Sequence, residues 1–149
     1  MNALDGSNLI IFFQLFLSLT LGGLLGLERS LSGKMAGMRT YGLVSMASSL
    51  FVIVSRIVFQ QNSGISNFDP LRMASQIIVG IGFLGAGLII FKESKITGLT
   101  TAAGLWVAAG IGMAIGFDLY LIAVFVTVIT FFVFTVFWAI EKKLKKILR

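Results

Sequence analysis

The residues best able to do chemistry are few and charged, and they lie at the edges of long apolar runs. Glu28 and Arg29 end the first run, and Arg39 precedes the second. Acidic and basic side chains that meet at a membrane boundary form charge-assisted pairs, and a surplus arginine there can bind an anion or a partner protein. Two interpretations of Glu28, Arg29 and Arg39 therefore remain at this point. They form either an ion-pair network that fixes the helices or a site that binds an anion or a partner protein.

A second polar group lies near the middle of the chain. Asp69-Pro70 is typical of a helix start, because Asp caps free N–H groups and Pro fits the first helical position. Arg72 and Gln76 share a face of the helix that follows. A cap and a snorkelling arginine explain Asp69 and Arg72. With Gln76 and the later pair Thr100-Thr101, they are also candidates for functional or ion-binding residues.

The residue types that the sequence lacks exclude several kinds of chemistry. The chain has no histidine and no cysteine, so thiol chemistry, zinc sites and histidine-based catalysis are absent. No Gly-Lys-Ser or Gly-Lys-Thr forms a Walker A loop, and the GxGxxG run over 80–85 lies inside an apolar segment without a preceding strand. We therefore expect no catalytic residues and no cofactor. Binding of a magnesium ion remains a possibility, although the sequence identifies no ligands for it.

The composition predicts a membrane protein. Of 149 residues, 57% are hydrophobic and 12% are charged, against about 25% charged in soluble domains. A membrane helix needs about 20 apolar residues, which allows five spans and makes residues 1–149 a single transmembrane domain. The first apolar run, with no basic residue before it, is expected to be a retained span. The predicted spans are Leu9–Leu27, Thr40–Phe59, Met73–Phe91, Gly98–Phe117 and Leu119–Ile140.

Glycine is abundant inside the predicted spans. In a bilayer, a missing side chain lets a neighbouring backbone come close. The third and fourth spans, joined by a charged loop over 92–97, are expected to form the packed centre of the bundle. The predicted packing positions are Gly22, Gly26, Gly80, Gly82, Gly85, Gly87, Gly104, Gly112 and Gly116.

The basic residues predict an orientation. Strict alternation of spans leaves Arg56 and Arg72 on one side and the other ten basic residues on the opposite side. By the positive-inside rule, the N-terminus is outside and the C-terminus is cytoplasmic. The net charge of +6 then reflects a membrane surface and not nucleic-acid binding. The ten residues are Arg29, Lys34, Arg39, Lys92, Lys95, Lys142, Lys143, Lys145, Lys146 and Arg149.

The acidic residues bear on transport. All lie at span ends or in loops, whereas a proton-coupled carrier or a dehydrated cation site normally uses a carboxylate inside the membrane. A conventional carrier is therefore disfavoured. Passage of a hydrated ion, or a carbonyl-lined path beside the glycines, stays open. The acidic residues are Asp5, Glu28, Asp69, Glu93, Asp118 and Glu141.

Several separated motifs resemble the membrane domain of the MgtC/SapB family. In chain order, these are Gly22-x-x-x-Gly26-x-Glu28-Arg29, Ala36-Gly37-x-Arg39-Thr40, Asp69-Pro70-x-Arg72, the run from Gly80 to Gly87, and Gly98-Leu99-Thr100-Thr101-Ala102-Ala103-x-x-Trp106. The chain ends at Arg149, so it is similar to the short, SapB-like form without a C-terminal soluble domain.

The resemblance implies a function. It implies a protein of the bacterial inner membrane with about five spans, linked to survival under magnesium limitation. It further implies action on membrane partners, notably the membrane sector of the F-type ATP synthase. We therefore expect a non-enzymatic protein that contacts the lipid bilayer and other membrane proteins, with a homodimer also permitted by its small-residue faces. The alternative is a transporter or channel for magnesium or another small ion.

Overall fold

The computed structural model describes residues 6–61, 69–92 and 94–147 and is almost wholly helical. A π-helical turn, Val133–Phe137, joins the last two helices, so that five segments are long and apolar enough to cross a membrane. The chain is an all-α polytopic membrane protein, as predicted. The helices are α1 (Gly6–Leu31), α2 (Met38–Gln61), α3 (Pro70–Leu88), α4 (Leu99–Gly116), α5 (Tyr120–Phe132) and α6 (Trp138–Ile147).

The bundle has two ends, which differ in charge. At the basic end, α1 finishes, α2 begins and α6 carries its lysines. At the opposite end, called the Asp118 end, α2 finishes, α3 begins and a turn joins α4 to α5. Asp5, Glu93 and most of the loop predicted after α2 lie outside the described residues.

Helix α3 starts as the sequence predicts and ends earlier. The Asp69 carboxylate accepts a hydrogen bond of 2.9 Å from the Leu71 N–H, and Pro70 is the first helical residue. The predicted charged loop after α3 is instead an antiparallel pair of strands, β1 (Ile90–Lys92) and β2 (Lys95–Thr97). Pairing with β2 draws residues 90–92 out of the helix, so α3 stops at Leu88.

Helix α2 lies between α1 and α4 at the centre of the bundle. Its buried face includes Tyr41, Ser45, Ser49 and Val52. Helix α4 is the other well-buried element, whereas Ile77, Ile81 and Gly85 are the buried residues among positions 71–88 of α3. The centre is therefore formed by α2 and α4, and α3 is peripheral, which differs from the predicted central hairpin of the third and fourth spans.

Close backbone approach occurs along both sides of α2. A Cβ atom on Gly22 would lie 2.6 Å from the Ser45 Cβ, and one on Gly26 would lie 2.6 Å from the Gly37 carbonyl oxygen. From α4, a Cβ on Gly112 would overlap the Ser45 carbonyl, and one on Gly116 would lie 2.7 Å from the Val52 Cβ. These four glycines let α1 and α4 touch the α2 backbone.

The glycines of α3 have different surroundings. A Cβ on Gly80, Gly82 or Gly87 would meet nothing within 4 Å, and one on Gly85 would make ordinary contact with the Ala102 Cβ at 3.8 Å. Gly80, Gly82 and Gly87 therefore do not pack α3 against the described part of the chain, contrary to the expectation for all nine glycines.

We predict that Gly112→Ala destabilises the protein far more than Gly80→Ala. The new methyl group on α4 would force α2 away, and overpacking of this kind costs about 1–3 kcal/mol. On α3 the same methyl group enters open space. Thermal unfolding in a mild detergent measures both changes; equal losses in Tm would contradict the packing described for α2 and α4.

Candidate functional site

A buried charge lies at the basic end of the bundle. Arg29, in the last turn of α1, is only 3% exposed, and its guanidinium pairs with the Glu28 carboxylate. The Ser32 hydroxyl donates to the other Glu28 oxygen at 2.8 Å. Because a lone buried charge is costly, this pairing is what allows Arg29 to lie inside the bundle.

Arg29 also contacts the last span. Its guanidinium carbon lies 3.8 Å from the centroid of the Phe134 ring, and its Nη2 donates to the Phe134 carbonyl at 3.4 Å. In a regular α-helix that carbonyl would accept from the Trp138 N–H, which here bonds the Thr135 carbonyl instead. Within the π-helical turn, the Phe134 carbonyl accepts from Arg29 while the Phe134 ring faces the same guanidinium.

Two further elements complete this buried site. The Tyr41 hydroxyl, on α2, donates to the Thr101 carbonyl of α4 at 2.8 Å. A Cβ on Gly104 would lie 2.5 Å from both the Tyr41 hydroxyl and the tip of the Phe134 ring. Glycine at position 104 is therefore required for Tyr41 and Phe134 to meet beside Arg29.

The structure separates Arg39 from this site. Arg39 is exposed and lines a shallow depression of about 320 Å³ with Ser30 and Lys34. The expected cluster of Glu28, Arg29 and Arg39 is therefore not formed, because the Arg29 side chain turns inward to Phe134 of the π-helical turn, while Arg39 is exposed at the start of α2. Thr101 joins the buried site through its main chain, whereas Thr100 is exposed.

The predicted residues of α3 lie apart from the buried site. Asp69 caps the helix, and Arg72 and Gln76 are exposed on its first turns at the Asp118 end. None of the three is brought beside Glu28 or Arg29. They make the N-terminal part of α3 polar.

A second polar network lies at the Asp118 end. The Asp118 carboxylate pairs with Arg56 at 2.5 Å, and it accepts hydrogen bonds from Gln14 at 2.7 Å and from the Tyr120 hydroxyl at 2.9 Å. Arg56 also donates to the Gly116 carbonyl at 2.6 Å. Asp118 has a φ of +63°, which is uncommon outside glycine. Side chains from α1, α2 and α5 thus converge on the α4–α5 turn.

The surroundings of Asp118 favour its charged form. Partial burial by itself would raise the pKa of the Asp118 carboxyl. The hydrogen bonds from Arg56, Tyr120 and Gln14, together with the positive charge of Arg56, outweigh that effect and hold the pKa below its ordinary value.

Sequence reasoning missed the partners of both networks. Gln14 is visible as a lone amide in an apolar span and Arg56 as a charge within a predicted helix, and these were the available signals for the Asp118 end. Arg56 bonds the α4–α5 turn and stays partly exposed. Tyr41 and Phe134 carry no comparable signal, since aromatic residues are common in membrane helices.

The described residues hold no group of three or more His, Cys, Asp or Glu side chains arranged to bind a metal ion. The structure thus contains two ion-pair networks that link distant helices: a buried one that includes the candidates Glu28 and Arg29, and a partly open one around Asp118.

Known proteins resemble this chain over most of its length. The sequence profile described as the MgtC family matches residues 15–143. A protein of Escherichia coli K12 named putative magnesium transporter YhiD is 41% identical over 126 residues, covering 83% of this chain and 59% of the relative. Protein SrpB of Synechococcus elongatus is 38% identical over 141 residues, covering 85% and 75%.

A third relative, protein MgtC of Brucella abortus, is 49% identical over 87 residues, covering 58% of this chain and 34% of the relative. The chain thus corresponds to part of the length of these relatives, 59% in the Escherichia coli protein. No solved structure matches the chain.

We predict that Glu28→Gln destabilises the protein more than the double change Glu28→Gln with Arg29→Met. The single variant leaves the Arg29 charge buried without its partner, which costs about 3–5 kcal/mol. The double variant removes that charge and keeps an apolar side chain against Phe134. Thermal unfolding compares them, with exposed Arg39→Met as a control of little effect. A double variant as unstable as the single one would contradict the role assigned to the pair.

We predict a pH dependence for the Asp118 network. Because the folded-state pKa of Asp118 is lowered, its contribution to stability is fully present above the ordinary carboxyl pKa of about 4 and is lost as pH falls through the folded-state value. The difference in Tm between wild type and Asp118→Asn should be largest at neutral pH and shrink in acid. A difference that grows on acidification would contradict this assignment.

Proposed function

The chain belongs to the MgtC family, and from that premise we propose that it is a non-enzymatic protein of the bacterial inner membrane that acts by binding another integral membrane protein through α3. We further propose that this binding serves adaptation to magnesium limitation, as the resemblance to the family implies. The observation that carries the proposal is the lipid-facing surface of α3, where a polar side chain and glycines lie together.

The Gln76 amide is the first support for this surface. Gln76 is exposed on the outside of the bundle, and no described residue hydrogen-bonds its side chain. An amide facing lipid gains from a partner, and polar side chains commonly hydrogen-bond across membrane helices. Gln76, Gly80, Phe83 and Gly87 follow one another at helical spacing and form one stripe along α3.

An apolar groove runs beside this stripe. It lies between α2 and α3, has a volume of about 500 Å³, and is lined by residues that include Leu43, Phe51, Gln76 and Gly80. A neighbouring transmembrane helix could set large side chains into this groove and bring its backbone near the α3 glycines, which is how small-residue faces associate in membranes.

The orientation follows from charge. The basic end carries Lys34, Arg39, Lys95 and the α6 lysines, so we place it in the cytoplasm and the Asp118 end outside. On α6, the Lys142 ammonium lies 5.2 Å from the centroid of the Trp138 ring. An interfacial tryptophan beside lysines is consistent with a helix at the surface of an anionic leaflet.

A second candidate function is transport of magnesium or another small ion. The printed name of the Escherichia coli relative favours it. The packing of α1 and α4 on α2 weighs against a path there, because even a methyl group on Gly22 or Gly112 finds no room. Within the described ranges, the acidic side chains lie at or near the ends of the spans; they are Glu28, Asp69, Asp118 and Glu141.

We predict that Gly80→Leu together with Gly87→Leu abolishes association with a membrane partner and leaves the fold intact, since a Cβ at either position meets nothing within 4 Å. Pull-down of tagged protein from mild detergent, probed for the membrane sector of the F-type ATP synthase, measures association. Thermal unfolding of the same sample measures the fold.

Val128→Phe, on the exposed face of α5, is the matched control and should retain the partner. If wild type retains no membrane protein, or if the control loses it as fully as the α3 variant, partner binding through α3 is ruled out.

We predict that the purified protein in liposomes does not conduct Mg²⁺, because no described carboxylate lies at the centre of a span. A magnesium-sensitive dye inside the vesicles reports flux. A flux that disappears in Asp118→Asn, while thermal unfolding shows that this variant is still folded, would establish the transporter alternative.

A further inference from the structure

The loop between α1 and α2 is held in place by its own main chain. The Gly33 N–H donates to the Ser30 carbonyl at 3.0 Å. The Lys34 N–H donates to the Arg29 carbonyl at 2.9 Å. With Gly33 at a φ of +66°, these two bonds form a Schellman motif, in which a helix ends on a left-handed residue. The motif fixes the position of Lys34 beside the last turn of α1.

Ser30 also connects the loop to the start of α2. Its hydroxyl accepts a hydrogen bond of 3.0 Å from the Met38 N–H, the first N–H group of α2. Glycine is required at position 37, because a Cβ atom there would overlap the Ser30 hydroxyl. The end of α1 and the start of α2 are thus held together, and Lys34 and Arg39 line one depression of about 320 Å³ between them.

This α1–α2 depression carries two positive charges and no negative one. The side chains of Lys34 and Arg39 are exposed, and neither makes a hydrogen bond or ion pair with another described residue. The nearest carboxylate along the chain, that of Glu28, is already bonded to Arg29 and Ser32. No residue that lines the depression is acidic. Unpaired positive charges that share a concave site attract an anion.

Neutral donors beside the two cations favour a phosphate group. The main-chain N–H groups of Arg39 and Thr40, in the first turn of α2, find no acceptor in the described part of the chain. The hydroxyl groups of Ser30 and Thr40 also donate to no described residue. A guanidinium fork with several such donors matches the oxygens of a phosphate. These donors supplement the two cations, which define the site.

Apolar side chains on the same lining indicate that the phosphate belongs to a lipid. Met35 and Met38 line the depression beside the two cations and are 57% and 53% exposed. The loop joins the spans Asn8–Leu31 and Met38–Gln61, so the depression lies at the level where lipid headgroups meet acyl chains. A phospholipid there places its phosphate against the cations and its glycerol carbons against the methionines. Basic pockets between membrane helices bind anionic headgroups in this way.

We propose that Lys34 and Arg39 form a binding site for the phosphate of an anionic phospholipid, such as phosphatidylglycerol, in the leaflet at the basic end. The lipid occupies the α1–α2 depression and extends its chains past Met38. The site is distinct from the lysines of α6, which are exposed and line no part of the depression. It is independent of the α3 surface and goes beyond partner binding.

The test is native mass spectrometry of the purified full chain, with phosphatidylglycerol and phosphatidylcholine added to the detergent in equal amounts. Wild type should retain phosphatidylglycerol in preference to phosphatidylcholine, which carries the same phosphate without a net charge. Lys34→Gln with Arg39→Gln should bind phosphatidylglycerol about thirtyfold more weakly, because both charges that face the phosphate are lost. Equal retention of the two lipids by wild type would overturn the proposal.

Lys143→Gln with Lys146→Gln is the matched control. It removes two positive charges from α6 at the same end of the bundle and leaves the contact of Lys142 with Trp138 intact. Its affinity for phosphatidylglycerol should fall less than about threefold, since solvent and salt screen charges on an exposed helix. Equal losses in the two double variants would assign the lipid to the overall charge of the basic end and overturn the proposal.

Inorganic phosphate distinguishes a lipid site from a site for the free anion. It should displace phosphatidylglycerol no more than NaCl does at equal ionic strength, because it makes no contact with the methionines. Stronger displacement by phosphate would overturn the assignment to a lipid.

Thermal unfolding without added lipid checks the fold of the variants. Lys34→Gln with Arg39→Gln should match wild type in Tm, since neither side chain has a partner in the described structure. If this variant does not fold, Lys34→Glu replaces it, because a carboxylate in the depression repels a phosphate. Retention of phosphatidylglycerol by Lys34→Glu at wild-type affinity would overturn the proposal.

Discussion

The close approach of α1 and α4 to the backbone of α2 is the constraint on which the rest of the structure depends. Lipid tails solvate apolar side chains as well as a neighbouring helix does, so helices in a bilayer are held by tight packing and polar contacts. Here Gly22 and Gly112 lie on opposite sides of Ser45. The Ser45 and Ser49 hydroxyls are buried and have no hydrogen-bond partner among the described residues, so their small size, and not their polarity, is what the packing needs.

One polar network lies beside each end of α2: the Arg29 network at its start and the Asp118 network at its end. Arg29 and Arg56 make the same kind of contact, because each guanidinium pairs with a carboxylate and also donates to a main-chain carbonyl of a distant helix. They differ in access, since Arg29 is 3% exposed and the Arg56 side chain 35%. The first is part of the buried core, whereas the second lies at the surface of the bundle and is partly open to solvent.

Part of this arrangement could be predicted and part could not. Asp69-Pro70 predicts the start of α3 because capping acts within one turn of the chain. The glycines of α3 and α4 look alike in sequence, yet a methyl group on Gly112 would overlap α2 while one on Gly80 meets open space. Arg39 lies close to Arg29 along the chain, but Arg29 bonds Phe134, 105 positions away. Proximity in sequence is a poor guide once a side chain turns into the bundle.

The sequence by itself determined that the protein lies in a membrane, that it is helical, and roughly where its five spans run. These features depend on the length of each apolar run and on local helix capping, which do not require knowledge of tertiary contacts. It also determined which chemistries are impossible, through the absence of histidine and cysteine. Only the tertiary structure decided that α2 lies at the centre, that α3 is left at the edge, and that Arg56 closes on the α4–α5 turn. These choices depend on which helix faces meet, and hydrophobicity cannot select among faces that are all compatible with lipid.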